Sequence, residues 1–120
     1  MGKIQHKRSP CPVACALDIL GDKWTLLLIR DMLCGLSCFN EFCRSPEKIA
    51  TNILADRLEK LVSSHLVEKF EIAGPPVRAA YRLTARGKSL RPVLEAVAKW
   101  GLANIDGTEA KMKPKPAMNE

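Results

Sequence analysis

Phe39-Asn-Glu-Phe42 opens a run that continues through Ser45-Pro-Glu-Lys-Ile49, Ala50 to Ser64, Val67-Glu-Lys-Phe-Glu-Ile-Ala73, Gly74-Pro-Pro-Val-Arg78 and Ala79-Ala-Tyr-Arg-Leu-Thr84. Leu54, Leu58, Leu61 and Val62 share one helical face, and Asn52, Asp56, Glu59, Lys60 and Ser63 take the other. Thr51 is the expected N-cap, because Ala50 before it has no side-chain oxygen. After His65 the period changes: Val67, Lys69 and Glu71 alternate with Glu68, Phe70 and Ile72, as in a strand. Gly74-Pro75-Pro76 forces a turn, and Tyr81 and Leu83 share one face of a returning strand with Arg82 on the other. The run therefore predicts a short helix, a turn, a longer helix and a basic hairpin, the order of a winged helix-turn-helix. Such a helix fits a DNA major groove while the hairpin tracks phosphates.

Outward from this run, Val13 to Leu20 predicts a first helix after Pro12, ended by Gly21. Asp22 is the expected cap of a second helix, Lys23 to Leu33, with Trp24 in the core. A short strand is expected at Cys38, before a helix from Phe39 to Arg44. Thr84 is expected to cap a last helix reaching about Ile105, with Pro92 marking a first turn that is separate or kinked. The fold class is mainly α with a small antiparallel β-hairpin (α+β). The division is a basic mobile arm over 1–10, one folded domain over 11–105, and a disordered tail over 106–120.

Composition narrows the function. With 47% apolar and 27% charged residues the chain is globular, and 120 residues suffice for one modest core. No apolar run approaches the ~20 residues that span a bilayer. The N-terminus lacks the pattern of a secretory signal, so a cytoplasmic, non-membrane protein is expected. Net charge is +6, and Val67 to Arg91 holds six basic residues against two acidic ones, an excess that suits a polyanion. A solvated surface that maintains solubility is an equal reading of that charge alone. No phosphate loop, acidic dyad or placed histidine suggests an enzyme, and no cofactor is implied.

Within the predicted DNA face, Asn52 has the chemistry to pair with adenine, Thr51 to reach a phosphate or thymine methyl, and Arg57 to reach guanine or phosphate. Arg57 reads equally well as the partner of Glu41 or a neighbouring acid. Asp56 and Glu59 repel phosphate and confine base reading to the first turns. Arg78 at the wing tip is the leading phosphate candidate, flanked by Lys69 and Arg82, with Lys48 and Lys23 as further contacts.

The five cysteines are an odd number without a secretion signal, which argues against a disulfide framework. No Cys-x-x-Cys pair is present, and His6 and His65 are badly spaced for zinc, so no metal site is expected. Cys11 begins a helix after Lys7 and Arg8, a setting that favours thiolate, and Cys15 lies one turn on. Both read equally as small apolar filler, as do Cys34, Cys38 and Cys43.

Three blocks carry a resemblance: Cys11-Pro-Val-Ala-Cys-Ala-Leu-Asp-Ile-Leu-Gly-Asp-Lys-Trp-Thr25; Phe39-Asn-Glu-Phe42 with Ile49-Ala-Thr-Asn-Ile-Leu-Ala-Asp-Arg-Leu58; and Tyr81-Arg-Leu-Thr-Ala-Arg-Gly-Lys-Ser-Leu90 with Trp100-Gly101. In this order they resemble the HxlR-type, MarR-related winged-helix transcription regulators of bacteria and archaea. Ala79-Ala80 stand where that family usually has Val-Glu, and Ser45-Pro-Glu-Lys48 where a Pro-Gly is common. The resemblance implies a homodimer on a palindromic double-stranded DNA operator, most often a repressor. It also implies an oxidant or electrophile effector acting at Cys11, alone, with Cys15, or by bridging to the other subunit. Val13 and Leu17 of the first helix, and Leu90, Leu94, Val97 and Trp100 of the last, are the expected dimer contacts. The competing reading is a winged-helix protein-interaction module.

Overall fold

The computed structural model describes residues 2–5 and 8–110. Its elements are α1 (Pro12–Leu20), α2 (Thr25–Leu33), α3 (Phe39–Cys43), α4 (Thr51–Ser63), β1 (Val67–Ile72), β2 (Arg78–Leu83), α5 (Ala85–Lys88) and α6 (Arg91–Asn104). The strands form an antiparallel hairpin in which Val67 faces Leu83 at the root and Ile72 faces Arg78 at the tip. Cys38 adds an isolated bridge to Ala80, the expected short strand before α3, and Tyr81 N donates to Ser37 O at 2.8 Å. This is a winged helix-turn-helix of the α+β class.

Local chemistry explains where the elements begin. Asp22 Oδ1 accepts from the backbone N–H of Trp24 (2.8 Å) and Thr25 (2.9 Å), and Oδ2 accepts from the Thr25 hydroxyl (2.5 Å). Asp22 is not the N-cap expected of it: its bonds hold residues 24 and 25 in a turn, Trp24 takes the N-cap, and α2 begins at Thr25 rather than Lys23. Thr51 is not the cap expected of it. Leu54 N already donates to Ala50 O at 2.9 Å, which puts Ala50 at the N-cap and Thr51 in the first helical position. Among the described residues the Thr51 hydroxyl therefore has no backbone bond to make.

The ends follow one pattern with two different residues. Gly35 ends α2 at φ 98°, with Leu36 N on Asp31 O and Gly35 N on Met32 O, both at 3.0 Å. His65 ends α4 at φ 61° with the same pair of bonds, Leu66 N on Leu61 O and His65 N on Val62 O. These are Schellman endings, and Leu61 and Leu66 supply the usual apolar contact.

The first turn that Pro92 marks as separate or kinked is a separate helix, α5, ahead of α6. Thr84 Oγ1 caps α5 through Gly87 N (3.1 Å), and the chain breaks at Ser89-Leu90 before α6. Pro92 has no N–H to offer the Lys88 carbonyl and sits instead in the first turn of α6. α5 lies so close to the residue preceding β1 that a Cβ on Gly87 would come 2.1 Å from the Leu66 carbonyl oxygen.

The core joins α2, α3, α4, β1 and α6 through Leu28, Ile29, Phe42, Leu54, Leu58, Leu61, Val67 and Leu94. Each such side chain contributes about 1.5–3 kcal/mol on burial. Leu94, expected in the dimer interface, is only 8% exposed and belongs to the chain's own core, because its face of α6 is turned towards α2. Leu90 packs half-buried against the same core. Val13, Leu17, Val97 and Trp100 remain exposed, at 65%, 55%, 53% and 64%. Residues 106–110 hold no regular element, and the expected disorder of 111–120 lies outside the described residues. At the other end, Arg86 donates to the Gly2 carbonyl, and residues 2–5 line a groove with Ser63, Ser64 and His65.

Candidate nucleic-acid interface

The first turn of α4 presents two residues to solvent. Thr51 and Asn52 are exposed, and neither side chain makes a hydrogen bond among the described residues. Lys48 stands just before them at φ 57°, in a turn closed by Lys48 N on Ser45 O (2.9 Å). Further along α4, Asp56 is partly neutralised by Arg57 (2.5 Å) and Lys60 (3.4 Å), which lessens the repulsion expected of the outward acids.

Arg57 faces inward. Its guanidinium bonds Asp22 at 3.2 Å as well as Asp56, and its side chain is 22% exposed. The neighbouring-acid alternative is thus the observed contact, made with Asp22 and Asp56 rather than Glu41. Burial acts to raise the Asp22 carboxyl, but hydrogen bonds from Thr25 and Trp24, with the Arg57 charge, outweigh it and hold the group below its ordinary value.

The wing divides its cations. Arg82 pairs with Glu68, directly opposite in the register, and lies 4.4 Å from the Phe70 ring centroid. Arg78 and Lys69 have no ion pair among the described residues, and strand alternation puts them on opposite faces of the hairpin. Lys23 rests 5.3 Å from the Trp24 ring centroid. Lys48, Thr51 and Asn52 therefore stand together at the start of α4, and Arg78 stands at the wing tip. Arg57 and Arg82 are committed to carboxylates.

One cluster escaped the sequence reading. Arg30 of α2 binds Glu47 through two nitrogens (2.8 and 3.1 Å) and also reaches Asp31 (2.8 Å) and Ser45 Oγ (3.2 Å). This pins the turn that launches α4. The Arg30 hydrogen bonds hold Glu47 down at about 2, while Glu47 foremost raises Arg30. Asp31 is pushed up by burial, which Arg30 only partly offsets, and its Oδ2 is buried without a partner among the described residues. Residues 17 positions apart in sequence leave no local pattern for such a pair.

Of the candidate sensor thiols, Cys11 is exposed and its backbone N–H meets Ser9 Oγ (3.1 Å). Cys15 is half-buried and its Sγ donates to Ser9 O (2.9 Å). The positive setting expected around Cys11 is weakened, since Arg8 is turned to Asp18 (2.8 Å) and to the Ala14 carbonyl. Lys7 lies outside the described residues. No helix among the described residues is long and apolar enough to cross a membrane.

Comparison with known proteins agrees with this geometry. The HxlR-like helix-turn-helix family matches residues 19–109. The HTH-type transcriptional regulator YybR of Bacillus subtilis is 32% identical over 107 residues, covering 89% of this chain and 86% of its own. The oxidised form of the redox regulator HypR superposes with TM-score 0.74 at 33% identity, over 80% of this chain and 99% of its own. The reduced form of the transcriptional regulator YodB of B. subtilis does so with TM-score 0.68 at 27% identity, over 84% and 100%. From its fold and these likenesses, the chain belongs to the HxlR-like helix-turn-helix family of DNA-binding transcriptional regulators.

Proposed function

We propose that the protein is a dimeric, sequence-specific DNA-binding repressor with α4 as its recognition helix. The observation that carries this reading is the uncommitted first turn of α4, where Thr51 and Asn52 stand exposed beside Lys48. Asn52 pairs bidentately with adenine, and Thr51 meets a phosphate or a thymine methyl. Lys23, Lys48, Lys69 and Arg78 bind phosphates and supply the salt-dependent part of the affinity. Arg57 and Arg82 hold α4 and the wing in position through their carboxylate partners.

Two copies associate through the exposed apolar residues Val13, Leu17, Val97 and Trp100. Their recognition helices then read a palindrome whose half-sites lie about one helical turn apart. A dimer seated on such an operator blocks transcription. Cys11, with Cys15 a turn away, is the thiol through which an oxidant or electrophile alters that occupancy. The likeness to HypR, a redox regulator, and the exposure of Cys11 support this role.

Selection of bound duplexes from a random pool, under reducing and oxidising conditions, tests both parts. The expected result is one enriched palindrome when reduced, weaker enrichment after oxidation, and no oxidation effect in Cys11→Ser. Binding that selects no sequence and is insensitive to salt overturns the reading in favour of a protein-interaction module.

A further inference from the structure

A groove of about 730 Å³ runs between α3 and the wing. Asn40 lines it from α3, Arg44 from the cap just after α3 and Arg78 from the start of β2, and Cys38, Ile72 and Tyr81 are among its other walls. Arg44 and Arg78 form no ion pair among the described residues. The acid in the groove, Glu41, accepts the backbone N–H of Ser37 (2.8 Å) and Cys38 (3.0 Å) through Oε1. The lining therefore sets one arginine on each side against a single acid, over a floor that is partly apolar.

The position of the groove matters as much as its charge. α3 is tied to the wing by the Cys38–Ala80 bridge and packs on α4, so it stands between the two parts expected to enter DNA. With α4 in a major groove and Arg78 at the adjacent minor groove, one sugar-phosphate strand must pass between them. Resting on the DNA-binding reading above, we propose that the groove between α3 and the wing carries this phosphodiester strand. Arg44 and Asn40 clamp it from one side and Arg78 from the other, and Cys38 lies beneath it.

Arg44 is thus a phosphate contact that amphipathic patterning overlooks, since α3 is only five residues long. A phosphate clamp contributes affinity without base preference. The thiol beneath the strand supplies a readout that does not depend on any substitution.

The test uses the full chain and two duplexes of equal length, one bearing the selected operator and one scrambled. Arg44→Ala is expected to weaken both duplexes by a similar factor, roughly threefold to tenfold, and to reduce the slope of log affinity against log salt by about one. Lys99→Ala, on the exposed side of α6, leaves both unchanged. In the wild type, operator DNA slows iodoacetamide modification of Cys38 without slowing that of Cys11, read by peptide mass spectrometry. If wild-type binding is steeply salt-dependent while Arg44→Ala keeps its affinity and slope and Cys38 is unprotected, the proposed path of the strand is wrong. If the wild type shows no salt-dependent binding, the DNA-binding reading falls and takes this proposal with it.

Discussion

Arg57, on α4, donates from Nε to Oδ1 of Asp22 across 3.2 Å, linking α4 to the turn between α1 and α2. The same carboxylate accepts from the backbone of residues 24 and 25, so one acid fixes the start of α2 and the pose of α4. Arg57→Ala is expected to cost about 1 kcal/mol of stability, measured by urea unfolding, because the pair is partly screened. It is also expected to weaken all duplexes while leaving the salt slope unchanged, unlike Arg78→Ala, which lowers that slope by about one. A reduced slope in Arg57→Ala would mean that its guanidinium reaches phosphate.

Glu47 predicts a pH dependence. Its carboxyl is held at about 2 in the fold against an ordinary 4.5, mainly by Arg30. A depressed acid contributes stability above its unfolded value and loses it as the pH falls through the folded one. The contribution is thus complete above about pH 4.5 and disappears towards pH 2. With its side chain 33% exposed, screening leaves about 1–2 kcal/mol. Asp31 acts in the opposite sense, since burial raises it and protonation favours the fold. Chemical denaturation of wild type and Glu47→Gln between pH 2 and 5 should show the two curves converging at the acid end. Parallel curves would remove Glu47 from the account.

Gly87 carries a steric prediction. A methyl there would meet the Leu66 carbonyl oxygen at 2.1 Å and Leu83 Cδ2 at 2.9 Å. The carbonyl is backbone and also accepts Thr84 N (3.0 Å), so it cannot move without breaking the root of the wing. Gly87→Ala is expected to lose about 2–3 kcal/mol, as in other overpacked sites, read as a fall in melting temperature.

How far these features could be read from sequence depends on the range of the physics. The period of Leu54, Leu58 and Leu61, and the change to alternation at Val67, act within a few residues and specify α4 and the hairpin. Pro92 marked the break before α6 for the same reason. The ties from Arg57 to Asp22 and from Arg30 to Glu47 span 35 and 17 positions, where nothing local pairs them. His65 occupies a left-handed position where glycine is usual, so it carried no signal of the helix end. Apolar period also failed to separate Leu94 from Trp100, because α6 carries apolar residues both on the face packed on the core and on its exposed face.

That separation is itself testable. Trp100→Glu adds charge to an exposed apolar position and is expected to yield folded monomers in sedimentation. Leu94→Ala opens the core and is expected to cost about 2–5 kcal/mol with the dimer otherwise intact. A Trp100→Glu protein that still sediments as a dimer would move the interface elsewhere.

Base reading by the exposed first turn of α4 has a single-position signature. It is tested most directly by measuring the affinity of wild type and Asn52→Ala for the selected operator and for every single-base variant of it, at one salt concentration. Asn52→Ala is expected to lose about 1–3 kcal/mol of discrimination at one A·T position in each half-site and to keep it at the others. A uniform loss across all variants, or none at all, would contradict it.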